Sequence, residues 1–284
     1  MGLSSIDPEH CFDLAETLHS GQAFQWLPHR HEGIDGFAAC IGELGPIWLA
    51  QPSARQVLLR ETDEALARTY LGLDHDMPAI QRTFPADDFM TSALDFSPGL
   101  RILRQPLWEC LATFITSSLK QVAHISAISL ELRRRFGERR DFDGQPFFTY
   151  PSPAALADAG EEALRDCALG YRAKSLHRAA VAAVDGTFPL VDLETRQSRE
   201  DHERLRQALL ELHGVGEKIA NCVLLFSGGY WETFPIDVWI ERILRTVYRK
   251  RLKGARLQEW ANQYFGVNAG YAQQYLFHFA RKTL

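Results

Sequence analysis

The chain has 284 residues, 46% of them hydrophobic, with 31 Lys and Arg against 36 Asp and Glu, for a net charge of −5. That balance supports a sizeable core in one large or two ordinary domains and excludes a disordered chain. No run approaches the roughly 18 apolar residues of a membrane span, and Met1–Asp7 lacks a basic start followed by an apolar block, so no membrane helix or secretory signal is expected.

Residues 1–98 read as a small mixed domain. Short aromatic or β-branched pieces, Phe24–Leu27, Gly36–Ile41, Ile47–Gln51 and Gln56–Arg60, alternate with Gly and Pro, and Gly45-Pro46 is a turn signal. They predict an antiparallel sheet with a helix or two, one of them near Asp63–Leu71. From about Leu100 the period changes. Ile125, Ile128, Leu132 and Phe136 recur at spacings of 3, 4 and 4, which is one helical stripe. Ser152-Pro153 opens a helix, with serine as N-cap and proline in the first turn. Further helices are expected over Arg172–Val184, stopped by Gly186, over His202–Leu212, and over Lys218–Phe226, ended by Gly228-Gly229. Val238–Tyr248, Arg256–Tyr264 and Tyr271–Arg281 complete the set, without internal repeats. The expected class is α+β: an antiparallel-sheet domain (1–98) packed on a larger all-helical domain (99–284), divided near Asp95-Phe96-Ser97-Pro98.

The five cysteines, Cys11, Cys40, Cys110, Cys167 and Cys222, are odd in number and widely spaced, which suits reduced intracellular thiols. No C-x-x-C occurs and no cysteine follows Cys222, so no C-terminal iron–sulfur cluster is expected, since four thiolates are needed close together. The negative total counts weakly against nucleic acid, but the local field matters more. Arg242–Lys253 holds six basic residues and no acid, and Arg133–Arg135 with Arg139–Arg140 forms a second cluster. Either run taken alone reads as a solvated helix face.

Leu212-His213-Gly214-Val215-Gly216-Glu217-Lys218 lies between two predicted helices, and an acid follows 237 − 218 = 19 residues later in Phe234-Pro235-Ile236-Asp237-Val238. Two glycines let a backbone bend tightly and approach a partner, because no Cβ blocks either. The bend aims N–H groups outward and the next helix adds its N-terminal partial charge, which suits an anion such as a nucleic-acid phosphate. A glycine pair also occurs in ordinary helix connections. Val215 between the glycines and an apolar helix on each side favour a helix-hairpin-helix, which binds duplex backbone without reading sequence. Lys218 is either a surface charge or a reactive amine. A cation there stands at the wrong end of the macrodipole, and Ile219, Val223 and Leu224 remove solvent; both effects favour a neutral, nucleophilic amine. Cys222, at i+4, shares that helix face and is either a small core residue or part of the same pocket. Asp237 suits an N-cap for the helix from Val238, and a carboxylate so fixed can also stabilise positive charge on a sugar ring.

These residues resemble the helix-hairpin-helix DNA glycosylase superfamily, and within it the 8-oxoguanine DNA glycosylase/AP lyase family. The resemblance covers nearly the whole chain. It rests on Ser20-Gly21-Gln22-Ala23-Phe24-Gln25-Trp26, Pro106–Leu111 with Phe114–Ser118, Leu169-Gly170-Tyr171-Arg172-Ala173, the hairpin with Lys218 and Asp237, and Ala269-Gly270-Tyr271-Ala272-Gln273 with Phe277. It implies Lys218 as nucleophile and Asp237 as its catalytic partner. The Gly21 carbonyl would accept the N7 hydrogen that distinguishes 8-oxoguanine from guanine. Gln273 would pair with the base's Watson–Crick edge, and Phe277 and Cys222 would sandwich the ring. Tyr171 would wedge into the duplex, Arg172 would face the orphaned base, and Gly214, Val215 and Gly216 would hold the backbone.

The chain departs from the family at three places. Leu119-Lys120-Gln121 replaces an asparagine run and His124 replaces an arginine, both of which help read the cytosine opposite the lesion, so relaxed opposite-base discrimination is expected. Trp239 replaces a phosphate-contacting histidine and keeps only an indole N–H donor. The implied partner is damaged double-stranded DNA, met by a monomer away from membranes, in the cytoplasm and nucleoid of a bacterium or the nucleus of a eukaryote. No redox cofactor is required; hairpin carbonyls are candidates for a structural cation, of a metal the residues do not identify. Two other readings stay open: a glycosylase for another damaged base such as an alkylated purine, and a non-catalytic DNA-binding protein using the hairpin alone.

Overall fold

The computed structural model describes residues 3–117, 121–194 and 199–284. The expected sheet is present. Strands β1 (Ser4–Ile6), β2 (Leu27–His31), β3 (Ile34–Ile41), β4 (Leu44–Ser53) and β5 (Gln56–Arg60) are ordered β1-β5-β4-β3-β2, and every pair is antiparallel. Period-2 alternation sends Ala39, Ile41, Ile47, Leu49, Val57 and Leu59 into one apolar layer with Leu14, Leu18, Tyr70 and Leu71. The opposite face, with Ala38, Cys40, Trp48, Ala50 and Leu58, is covered by Phe142 and Phe147. Those two rings belong to a hairpin, β6 (Arg139–Phe142) and β7 (Gln145–Phe148), inside the part expected to be all helical. The signal for it was Asp143-Gly144, both at positive φ (49° and 74°), as a two-residue hairpin turn demands.

Phe24–Trp26, expected to begin a strand, is a buried loop, and the strand starts at Leu27. Its polar groups are met by side chains rather than a ladder: Phe24 N–H donates to Gln25 Oε1 at 2.9 Å and the Trp26 indole to the Tyr70 hydroxyl at 3.1 Å. Helices Met77–Gln81 and Asp88–Phe96 precede residue 98, yet their Met77, Ile80, Met90 and Ala93 lie in the helical core.

The remainder is mostly helical, and its starts follow local chemistry. Asp63 caps Glu64–Leu71 and Ser152 caps Pro153–Leu164 through their side-chain oxygens. The stripe Ile125, Ile128 and Leu132 is buried on helix Val122–Phe136. A buried ion pair ties this helix to the sheet. The Arg133 guanidinium meets Glu109 of helix Leu107–Ser117 and donates to the Cys40 carbonyl at 3.3 Å, while Glu109 Oε2 accepts from Gly42 N–H at 2.6 Å. Among the described residues no helix is long and apolar enough to cross a membrane.

Candidate active site

The hairpin forms as its glycines suggest. Helix Arg199–Glu211 ends before it, and helix Glu217–Val223 follows with Gly216 as N-cap. The Val215 N–H closes the turn on the Leu212 carbonyl at 3.1 Å, and the Val215 side chain is buried. The glycines differ in kind. Gly214 has φ +81°, and a Cβ there would collide with Ser175 Oγ, so the chain's own packing requires glycine. Gly216 has φ −110°, and a Cβ there would meet nothing within 4 Å. Nothing inside the molecule demands glycine at 216, and the open space lies on the cleft.

That cleft holds about 920 Å³ and is lined by Gly21, Gly214, Gly216, Lys218, Cys222, Asp237, Trp239, Gln273 and Phe277, all named from the sequence. Lys218 leaves the first turn of its helix half-buried. Its Nζ donates to Ser117 Oγ at 3.2 Å and sits 5.0 Å from the centre of the Phe114 ring. Asp237 caps helix Val238–Thr246 through a 2.9 Å bond from Ile240 N–H to Oδ1. Burial pushes its carboxyl above the usual aspartate range, opposed by that N–H and by the Lys218 charge. Burial likewise pushes the Cys222 thiol up to about 11, with the Lys218 charge pulling the other way. Cys222 therefore stays a neutral, polarizable wall.

Gly21 and Gln273 face the same space from opposite ends of the chain. Gly21 has φ +89° in a turn held from behind. Ser20 Oγ donates to the Thr17 carbonyl at 2.9 Å, Gln22 Nε2 to the Arg101 carbonyl at 2.7 Å, and Gln105 Nε2 to the Gln22 carbonyl at 2.7 Å. Gln273 is only 5% exposed, and its Oε1 has no hydrogen-bond partner among the described residues. A buried amide oxygen left unpaired costs about 1–3 kcal/mol, which a ligand donor in the cleft would recover.

Four sequence-derived residues lie off the cleft lining: Val215, His124, Tyr171 and Arg172. His124 is exposed at the start of helix Val122–Phe136. Tyr171 is 65% exposed after Gly170, and the buried Arg172 guanidinium stacks 4.4 Å from the centre of its ring. Leu119 and Lys120 lie outside the described residues. The structure adds Phe114, Ser117, Phe24 and Arg281 to the lining. Phe114 and Ser117 lie in a segment that carries the resemblance, but nothing marked them as pocket residues, because helix Leu107–Ser117 is buried along its whole length and no apolar stripe distinguishes one face.

Known proteins match along the chain. Residues 5–111 fit the 8-oxoguanine DNA glycosylase N-terminal domain, and residues 112–259 fit the HhH-GPD superfamily base excision DNA repair protein. A "Probable N-glycosylase/DNA lyase" of Methanothermobacter thermautotrophicus is 32% identical over 223 residues, 71% of this chain and 70% of that protein. The N-glycosylase/DNA lyase of Saccharomyces cerevisiae is 26% identical over 278 residues, 88% and 72% of the two chains. The crystal structure of Clostridium acetobutylicum 8-oxoguanine glycosylase/lyase, with double-stranded DNA containing cytosine opposite 8-oxoguanine, superposes with a TM-score of 0.86 at 25% identity, covering 99% of this chain and 98% of that one.

Proposed function

The chain belongs to the HhH-GPD superfamily of base excision DNA repair proteins, and from that premise we propose that it releases 8-oxoguanine from duplex DNA and then nicks the strand, as a bifunctional DNA glycosylase/AP lyase. The observation that carries the reading is the convergence, in one cleft, of an amine, a carboxylate and a buried amide oxygen without a partner: Lys218, Asp237 and Gln273.

A stacked base is out of reach, so the nucleotide is extruded into the cleft at a cost of a few kcal/mol. Hairpin N–H groups, with Gly216 open to close approach, hold the distorted backbone. The Gly21 carbonyl accepts the N7 hydrogen of the lesion, Gln273 pairs with the Watson–Crick edge, and Phe277 and Cys222 cover the faces. The Lys218 amine attacks C1′ through its nitrogen lone pair as the bond from C1′ to the base breaks, and the base leaves with the bond electrons and takes up a proton. Asp237 stabilises the cationic sugar. Ring opening gives a Schiff base, and loss of a C2′ proton expels the 3′ phosphate. Tyr171, backed by Arg172, enters the gap in the duplex, and His124 lies toward the opposite base. Trp239 offers its indole N–H to a phosphate.

Amine, carboxylate and solvent supply the chemistry, so no redox cofactor is required. The carbonyls of His213 and Val215 accept no backbone hydrogen bond among the described residues, so they would be the hairpin oxygens to hold a cation, whose positive charge would favour a phosphate nearby. The protein acts as a monomer inside the cell. Borohydride trapping on an 8-oxoguanine·cytosine duplex tests the assignment. A covalent adduct is expected with the native chain and none with Lys218→Gln; an adduct that survives the substitution, or binding with no adduct, overturns it.

A further inference from the structure

Helix Ala269–Thr283 lines the cleft with Gln273, Gln274, Phe277 and Arg281, and of these Gln273, Phe277 and Arg281 recur at a spacing of four. That spacing makes one ridge. Gln273 and Phe277 have roles above; Arg281 has none. Arg281 is half-buried and faces two ways. Its Nη2 donates to the His19 carbonyl at 2.7 Å, two residues before Gly21. Its guanidinium carbon lies 5.6 Å from the centre of the Phe277 ring, and its Nη1 stands 3.1 Å from where a Gly21 Cβ would be. Behind it, the His278 Nδ1 lies 3.4 Å from Arg281 Nη2, and the other His278 nitrogen meets the Glu16 carboxylate, which also accepts from Ser97 Oγ at 3.3 Å. His19 and Glu16 sit on helix Leu14–His19 of the N-terminal segment, so the guanidinium joins the two ends of the chain at the wall of the pocket.

We propose that Arg281 is a positioning residue for base recognition: by tying the His19 carbonyl and the Phe277 ring to one planar cation, it fixes the gap between the Gly21 carbonyl and the Gln273 amide that an extruded purine must fill. Arginine suits the task because its fork donates in one plane while its face stacks on an aromatic ring. Gly21 is required for the same reason, since its backbone is at positive φ and a side chain would press on both Phe277 and Arg281. The inference rests on the base-excision reading.

The test compares two reactions of one enzyme. Release of 8-oxoguanine needs the base pocket; cleavage of a preformed abasic duplex needs Lys218 but no base. Arg281→Met is expected to slow single-turnover base release by roughly 10- to 10²-fold, the scale of a small misplacement, and to slow abasic cleavage far less. Discrimination between 8-oxoguanine and guanine is expected to narrow in parallel. Arg281→Lys, which keeps the charge and one donor, should restore part of the loss. Equal losses in both reactions, or no change in their ratio, would overturn the proposal. Failure of the lesion assignment is read separately: the wild-type enzyme would then cleave abasic duplex yet leave 8-oxoguanine in place.

Discussion

One pair of substitutions separates the N-cap role of Asp237 from its proposed catalytic role. As N-cap it accepts the 2.9 Å bond from Ile240 N–H. As carboxylate it faces the cleft with Lys218. Asparagine caps about as well as aspartate, whereas alanine loses about 1 kcal/mol. In a protein of this size that is roughly 2–4 °C in Tm. The carboxylate's effect on a cationic sugar about 4 Å away, at an effective dielectric near 20, is about 4 kcal/mol, or roughly 10³-fold in rate. Asp237→Asn should therefore melt with the wild type but release base about 10³-fold more slowly, while Asp237→Ala should lose both. The sign of the pH effect follows from burial, which raises the folded carboxyl above its unfolded value. Between those two values the folded state binds the extra proton, so stability falls as pH rises, and above both the ionised Asp237 is a net cost. Asp237→Asn should remove that cost and be no less stable than wild type at neutral pH. The acid limb of the wild-type rate should lie above the ordinary aspartate range, because only the carboxylate is active. Scanning calorimetry and single-turnover kinetics across pH measure these effects. An Asp237→Asn enzyme within about threefold of wild type would refute the charge argument, and a Tm loss equal to that of alanine would refute the capping argument.

Gly214→Ala should destabilise the fold by about 1–3 kcal/mol in a urea melt, because the left-handed backbone is strained and Ser175 is in the way. Gly216→Ala should leave stability within about 0.5 kcal/mol while weakening binding to abasic duplex, measured by anisotropy; equal affinity would show that no backbone approaches there. Arg133→Met leaves Glu109 buried without its counter-charge and should cost about 3–5 kcal/mol. Burial already raises the Glu109 carboxyl, so the loss should shrink as pH falls and the folded state takes up the proton; a denaturation midpoint that shifts equally at low and high pH would contradict this. Base release opposite each of the four bases should show a weaker cytosine preference than the family pattern implies, given Leu119 and the exposed His124; a strong preference in single-turnover rates would rule this out.

Much of the site was legible because its signals are local. The Gly214-Val215-Gly216 bend, Lys218 at a helix start and Asp237 as a cap are each set by backbone chemistry within a few residues, and each stands where its neighbours dictate. The same local grammar failed where contacts at long range decide. Phe24–Trp26 has strand-like residues, but Gln25 and Tyr70 satisfy its polar groups and hold it as a loop. The β6–β7 hairpin needed the second face of the sheet to cover, which no window of its own sequence reveals. Arg281 looks like a surface cation at the end of a helix until the His19 carbonyl and the Gly21 turn arrive from the other end of the chain. Sequence alone thus determined where the bend, the helix start and the cap would stand, since backbone conformation and capping depend on adjacent atoms. Only tertiary packing decided which of them share one cleft, since burial and convergence depend on segments the chain brings together last.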